Sequence, residues 1–89
     1  MNDTSPAQQT LDALRLAEHK PAPDALALLN GLMPLVQGSG EQGLEADEAR
    51  ASAFLAICEV GKALHRGQPA DALYAEAIHA TERWVAVAR

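Results

Sequence analysis

Two long helical patterns joined by a short break constrain the fold of this 89-residue chain more than any other feature. Alanine-rich segments at about 44–66 and 69–88 carry apolar residues at helical spacing, and Gly67-Gln68-Pro69 separates them. Glycine suits the left-handed conformation that ends many helices, and proline cannot continue one. The sequence therefore predicts a helical hairpin with a large apolar face.

Two shorter helices are predicted before this hairpin. Ser5-Pro6-Ala7-Gln8 has the form of a helix start, in which Ser5 caps the helix and Gln8 completes a capping box. Pro23-Asp24 begins the second helix. Pro34 lacks a backbone donor, so we expect it to kink or end that helix at Met33.

The fold class that follows is all-α, a small antiparallel bundle dominated by the hairpin, with the two N-terminal helices packed on it. We expect a single domain over residues 1–89, with residues 1–4 disordered and residues 38–43 forming a flexible Gly/Ser loop. Chains of this size bury only about 60–65% of the surface of the unfolded chain, so their stability is marginal.

Composition excludes several functional classes. The net charge is −5 and the seven basic residues are scattered, so neither nucleic acid nor an anionic membrane is an expected partner. No apolar stretch reaches the length of a membrane span, and the N-terminus lacks a signal-peptide pattern. The single cysteine fits a reducing compartment. Abundant Ala and Arg are typical of a bacterial gene, and we expect a cytoplasmic protein.

The third helix carries an apolar arc of roughly 220°, wider than the ~100–140° that one core covers. We expect a helix that is either central in the bundle or shared with a second subunit, and we favour a homodimer. Trp84 would then anchor the interface, although it could instead cap the chain's own core. The candidate interface residues are Phe54, Ile57, Val60, Leu64, Leu73, Tyr74 and Trp84.

A di-metal site is the alternative that the sequence allows. Glu76 and His79 have the Glu-x-x-His form of carboxylate-bridged sites, and a dimer could add Glu59. The helical wheel places all three on polar faces, whereas a metal site must face inward. Cys58 lies on the apolar face, where we expect it to be a buried, inert side chain. We therefore expect no metal, no cofactor and no catalytic residue.

The function that fits these patterns is a small non-enzymatic interaction module, which is an adaptor, regulator or immunity-type factor acting through apolar helix faces. Its partner is itself, another protein, or both. The alternative is a small helical metal protein or enzyme that uses Glu59, Glu76 and His79 in a dimer.

Overall fold

The computed structural model describes residues 5–38 and 43–88, which form four helices and, within those ranges, no strand. This confirms the all-α bundle. Residues 1–4 and 39–42 lie outside the described ranges, and with them the expected disorder and most of the expected loop. Gly38 ends the second helix instead of opening the loop. The helices are α1 (Pro6–Ala17), α2 (Ala22–Gly38), α3 (Leu44–His65) and α4 (Asp71–Val87).

The start of α1 confirms the predicted cap. The backbone N–H of Gln8 donates to Ser5 Oγ at 3.1 Å, and Pro6 occupies the first helical position. The Gln8 side chain, which was expected to complete a capping box with Ser5, instead points along the helix and donates to Asp12 Oδ1 at 3.0 Å. Ser5 therefore satisfies one of the free N–H groups that every helix start leaves.

Pro34 does not end α2, so of the two outcomes expected from the sequence, a kink or an end at Met33, the end is wrong. The helix continues past it to Gly38. Pro34 is exposed, so water can hydrate the Asn30 carbonyl that loses its usual hydrogen bond. Leu32 and Val36 are buried on the opposite face and hold the segments on both sides of the proline against the core. Arg50 of α3 also donates to the carbonyl of Val36 at 3.3 Å.

The turn between α3 and α4 is a Schellman motif, as Gly67 suggested. Gly67 has φ +69°, in the left-handed region. The N–H of Gln68 donates to the carbonyl of Ala63 at 2.8 Å, and the N–H of Gly67 donates to that of Leu64 at 3.2 Å. These two hydrogen bonds end α3 and direct the chain into α4.

The four helices surround a single core. The main contacts pair α1 with α2, α2 with α3, α3 with α4, and α4 with α1, and the α3–α4 contact is the most extensive. The radius of gyration is 12.3 Å, close to the ~12 Å of a compact domain of this length. The two N-terminal helices therefore complete a core around the hairpin within one chain. The largest fully buried side chains are Trp84, Leu14, Leu29, Ile57, Val36, Val60, Thr10 and Thr81.

Two threonines are buried in this otherwise apolar core. Thr10 and Thr81 are fully buried, and each hydroxyl donates to the carbonyl four residues earlier, at 2.7 Å in both cases. Burial of a hydroxyl costs little when its hydrogen bond is made inside its own helix. This local bond makes threonine acceptable on the core-facing side of α1 and α4.

Candidate interaction surface

The seven candidate interface residues divide into two groups in the structure. Ile57, Val60, Tyr74 and Trp84 are buried within the chain, at 1%, 0%, 4% and 0% exposure. Trp84 thus belongs to the chain's own core and, in this fold, offers no surface to a second copy. Phe54, Leu64 and Leu73 are half-buried and pack against the core from its edge. The exposed large apolar side chains of α3 are other residues, Leu44 and Leu55.

Both leucines lie on the outer side of the wide apolar arc, where the bundle leaves large side chains uncovered. Leu44 is 78% exposed and Leu55 is 65% exposed. They belong to a line of seven exposed or half-buried residues spaced alternately four and three apart, which is the spacing of a coiled-coil seam. We call this line the outer stripe: Leu44, Glu48, Ala51, Leu55, Cys58, Lys62 and His65.

The outer stripe has opposite charges at its two ends. Glu48 lies near its start, with Glu45 beside it in the first turn of the helix, and Lys62 and His65 lie in the last turn. Ala51, Leu55 and Cys58 separate the two ends. Each charge is favourable in its own helix, because the macrodipole favours acidic groups at the N-terminus and basic groups at the C-terminus. The result is an acidic end, an apolar middle and a basic end.

A cleft of about 430 Å³ adjoins this stripe between α2 and α3. Its lining shares Cys58, Lys62 and His65 with the outer stripe. Apolar side chains dominate on the α2 side, and basic groups lie toward the end of α3. The lining residues are Leu26, Leu29, Asn30, Met33, Ile57, Cys58, Gly61, Lys62, His65 and Arg66.

Gly61 lines the cleft without contributing a side chain to it. A glycine inside a helix costs about 1 kcal/mol relative to alanine. Close packing does not require it here, because a Cβ at Gly61 would meet its nearest neighbour, Leu26 Cδ1, at 3.9 Å, an ordinary contact. The glycine therefore does not allow α2 to approach more closely. It leaves space between the two helices.

The basic side of the cleft has charge available for a partner. Lys62 pairs with Glu59 at 3.2 Å, but both side chains are more than half exposed, so the pair is weak. His65 and Arg66 are exposed and make no side-chain ion pair with another described residue. A segment that combines apolar side chains with carboxylates would complement this lining.

Cys58 is not buried as the sequence suggested. It is half-buried and lines the cleft. The helical wheel placed it correctly among apolar residues. The helical wheel could not tell which part of that wide arc the bundle would cover, and the cleft between α2 and α3 leaves Cys58 partly uncovered. Cys58 is accessible from the cleft and can serve as a chemical probe of it.

The residues of the metal alternative are on the surface. Glu59, Glu76 and His79 are all exposed. Within residues 5–38 and 43–88, no three His, Cys, Asp or Glu residues come together in a group that could hold a metal ion. One chain therefore does not assemble a ligand set from its described residues.

One polar atom in the core lacks a partner. Tyr74 is 4% exposed, and its hydroxyl makes no hydrogen bond among the described residues. Burial raises the pKa of Tyr74 above 10.0, and the negative charge of Glu18 raises it further. The residue does not line the cleft. We attribute its orientation to packing of the ring.

No protein-family model, curated protein or solved structure matches this chain. Among the described residues, no helix is long and apolar enough to cross a membrane.

Sequence reasoning missed the α2 half of the surface. Leu26, Asn30 and Met33 were assigned only to an apolar helix face or left without a role, and the structure places them along the cleft. One sequence signal was present. Gly61 interrupts an otherwise strong helix former, and a glycine in mid-helix often marks a packing or functional requirement.

Proposed function

We propose that this chain is a small non-enzymatic interaction module, an adaptor, regulator or immunity-type factor, which docks a protein through the outer stripe and the adjoining cleft. The exposure of Leu55, at 65% in the middle of the longest helix, carries the proposal. One exposed leucine is ordinary on a protein surface. Here Leu55 lies in a heptad-spaced line that adjoins an apolar cleft, and a continuous surface of this kind is typical of interaction sites.

The mode of docking that suits this surface is helix against helix. An amphipathic helix binds a partner through apolar side chains that recur every three or four residues, and the residues of the outer stripe have this spacing. The cleft would take an apolar side chain next to that seam, and its basic edge would favour an acidic neighbour. A cytoplasmic, bacterial setting is part of the proposal and depends on composition alone.

Affinity capture with matched variants tests this function. The tagged chain is returned to its native cells as wild type, as Leu55→Glu in the stripe, as Asn30→Trp at the cleft, and as Ala75→Glu. Ala75 is an exposed residue of α4, on a different helix from the stripe and the cleft, so it controls for added charge.

The proposal predicts a protein that wild type and Ala75→Glu retain and that Leu55→Glu and Asn30→Trp lose. Circular dichroism checks that all three variants are folded. If wild type and the three variants capture the same proteins in equal amounts, neither the stripe nor the cleft is a docking surface.

A further inference from the structure

We propose that the outer stripe binds a second copy of this chain, with the two α3 helices packed side by side and antiparallel. This inference rests on the proposed function, because it names an occupant for the same surface. The pairing differs from the dimer expected from the sequence, since the buried Trp84 and Tyr74 take no part in it.

The charge pattern along the stripe selects this occupant. In an antiparallel pair, the acidic end of one α3, with Glu48, lies beside the basic end of the other, with Lys62 and His65. A parallel pair would place Glu48 against Glu48 and Lys62 against Lys62. Like charges in contact are unfavourable and opposite charges are favourable, so the arrangement of charges distinguishes the two orientations.

The apolar residues lie where such a pair needs them. A twofold axis across the middle of α3 brings Ala51, Leu55 and Cys58 of each copy together, and a symmetric interface uses the same patch twice. Ala51 and Cys58 are small and half-buried, so two helices can approach closely around Leu55. The alternating four-and-three spacing gives each copy the seam that paired helices use.

Glu48 and the basic residues also lack strong alternative partners. Glu48 makes no ion pair with another described residue, and Lys62 has only the exposed pair with Glu59. These groups are hydrated in the single chain and can pair across an interface with little rearrangement. The pairing uses one helix face from each copy, so we expect a weak dimer that dissociates on dilution.

Sedimentation equilibrium of the purified chain from about 5 µM to 1 mM tests the pairing. The expected result is a mass that rises with concentration from 9.4 kDa toward twice that value. Leu55→Glu should remain at 9.4 kDa throughout, and Ala75→Glu on α4 should behave as wild type. A wild-type mass that stays at 9.4 kDa overturns the self-pairing, and equal association of Leu55→Glu places any dimer on another surface.

Charge exchange tests the orientation. Glu48→Lys should raise the dissociation constant about tenfold, because it replaces attraction with repulsion at two symmetry-related places. The double variant Glu48→Lys/Lys62→Glu should return it to within about threefold of wild type, because the opposite charges again face each other. In a parallel pair the single variant would change little. Unchanged affinity in Glu48→Lys, or no recovery in the double variant, overturns the antiparallel pairing.

These outcomes are separate from those of the proposed function. A chain that is monomeric at every concentration, yet captures a protein through Leu55 and Asn30, keeps the interaction module and removes the second copy as its partner. A chain that dimerises through the stripe but captures no other protein restricts the module to self-association.

Discussion

The inner and outer faces of α3 differ in a way that a simple amphipathic helix does not. Four of its six buried residues are alanines, whereas two of its leucines, Leu44 and Leu55, are the most exposed large apolar side chains described in the chain. Small side chains inside allow neighbouring helices to approach closely, and Trp84 of α4 is fully buried in the same core. The two outer leucines lie outside that core.

Truncation of large side chains gives the strongest test of this difference between the buried and exposed positions. Trp84→Ala should lower the free energy of unfolding by about 3–5 kcal/mol, because it opens a cavity in a filled core. Leu55→Ala, on the outer face, should change it by less than about 0.5 kcal/mol. Half-buried Phe54 should fall between them, at roughly 1–2 kcal/mol for Phe54→Ala.

Urea unfolding at low micromolar chain concentration measures all three variants in the monomer. If Leu55→Ala costs as much as Trp84→Ala, then α3 has no uncovered outer face and the comparison is wrong.

The α3–α4 turn connects the two helices that share the most extensive contact, so its disruption should have the next largest effect. Gly67→Val forces a β-branched residue into φ +69° and should destabilise the chain by more than ~1 kcal/mol. Gly67→Asn is the matched control, since asparagine tolerates the left-handed region and should lose less. Equal melting temperatures for the valine variant and wild type would mean that the turn does not need this conformation.

Substitution of two mid-helix glycines, Gly31 and Gly61, tests whether there is free space in the cleft. A Cβ at Gly31 meets nothing within 4 Å, and one at Gly61 makes only the contact with Leu26. Gly31→Ala and Gly61→Ala should therefore each raise stability by up to about 1 kcal/mol through helix propensity. Only Gly61→Ala should slow the reaction of Cys58 with a thiol reagent, because only Gly61 lies in the cleft with it. Destabilisation by Gly61→Ala would show that α2 and α3 are already in close contact there.

The smallest expected effect concerns the buried hydroxyl of Tyr74, on α4. Tyr74→Phe removes a buried hydroxyl without a partner, so stability at neutral pH should be unchanged or higher by up to about 1 kcal/mol. The raised pKa of Tyr74 means that the folded chain keeps this proton longer than the unfolded chain. Wild-type stability should therefore fall as pH rises above about 10, with a smaller fall in Tyr74→Phe. A clear loss of stability in Tyr74→Phe at neutral pH would show that the hydroxyl has a partner.

Local features were predictable because their causes lie within a few residues. The Ser5 cap, the Gly67 turn and the bounds of α3 and α4 follow from capping residues, glycine and proline, and the structure agrees to within two residues. The polar positions of Glu59, Glu76 and His79 also followed, since a helical wheel needs only the order of residues. The sequence left open whether Pro34 ends its helix, because the burial of Leu32 and Val36 on either side of it depends on other parts of the chain.

By itself, the sequence determined that this chain forms four helices and that α3 has more apolar surface than one core can cover. It underestimated the length of α2, which at 17 residues equals α4. Only the tertiary structure decided which part of that arc is covered. The physical reason is that burial depends on where α1, α2 and α4 pack, and many positions around α3 satisfy the same helical periodicity. In the packing observed, Trp84 is fully buried in the core, a cleft remains between α2 and α3 beside Gly61, and Leu55 is exposed in a stripe that is acidic at one end and basic at the other.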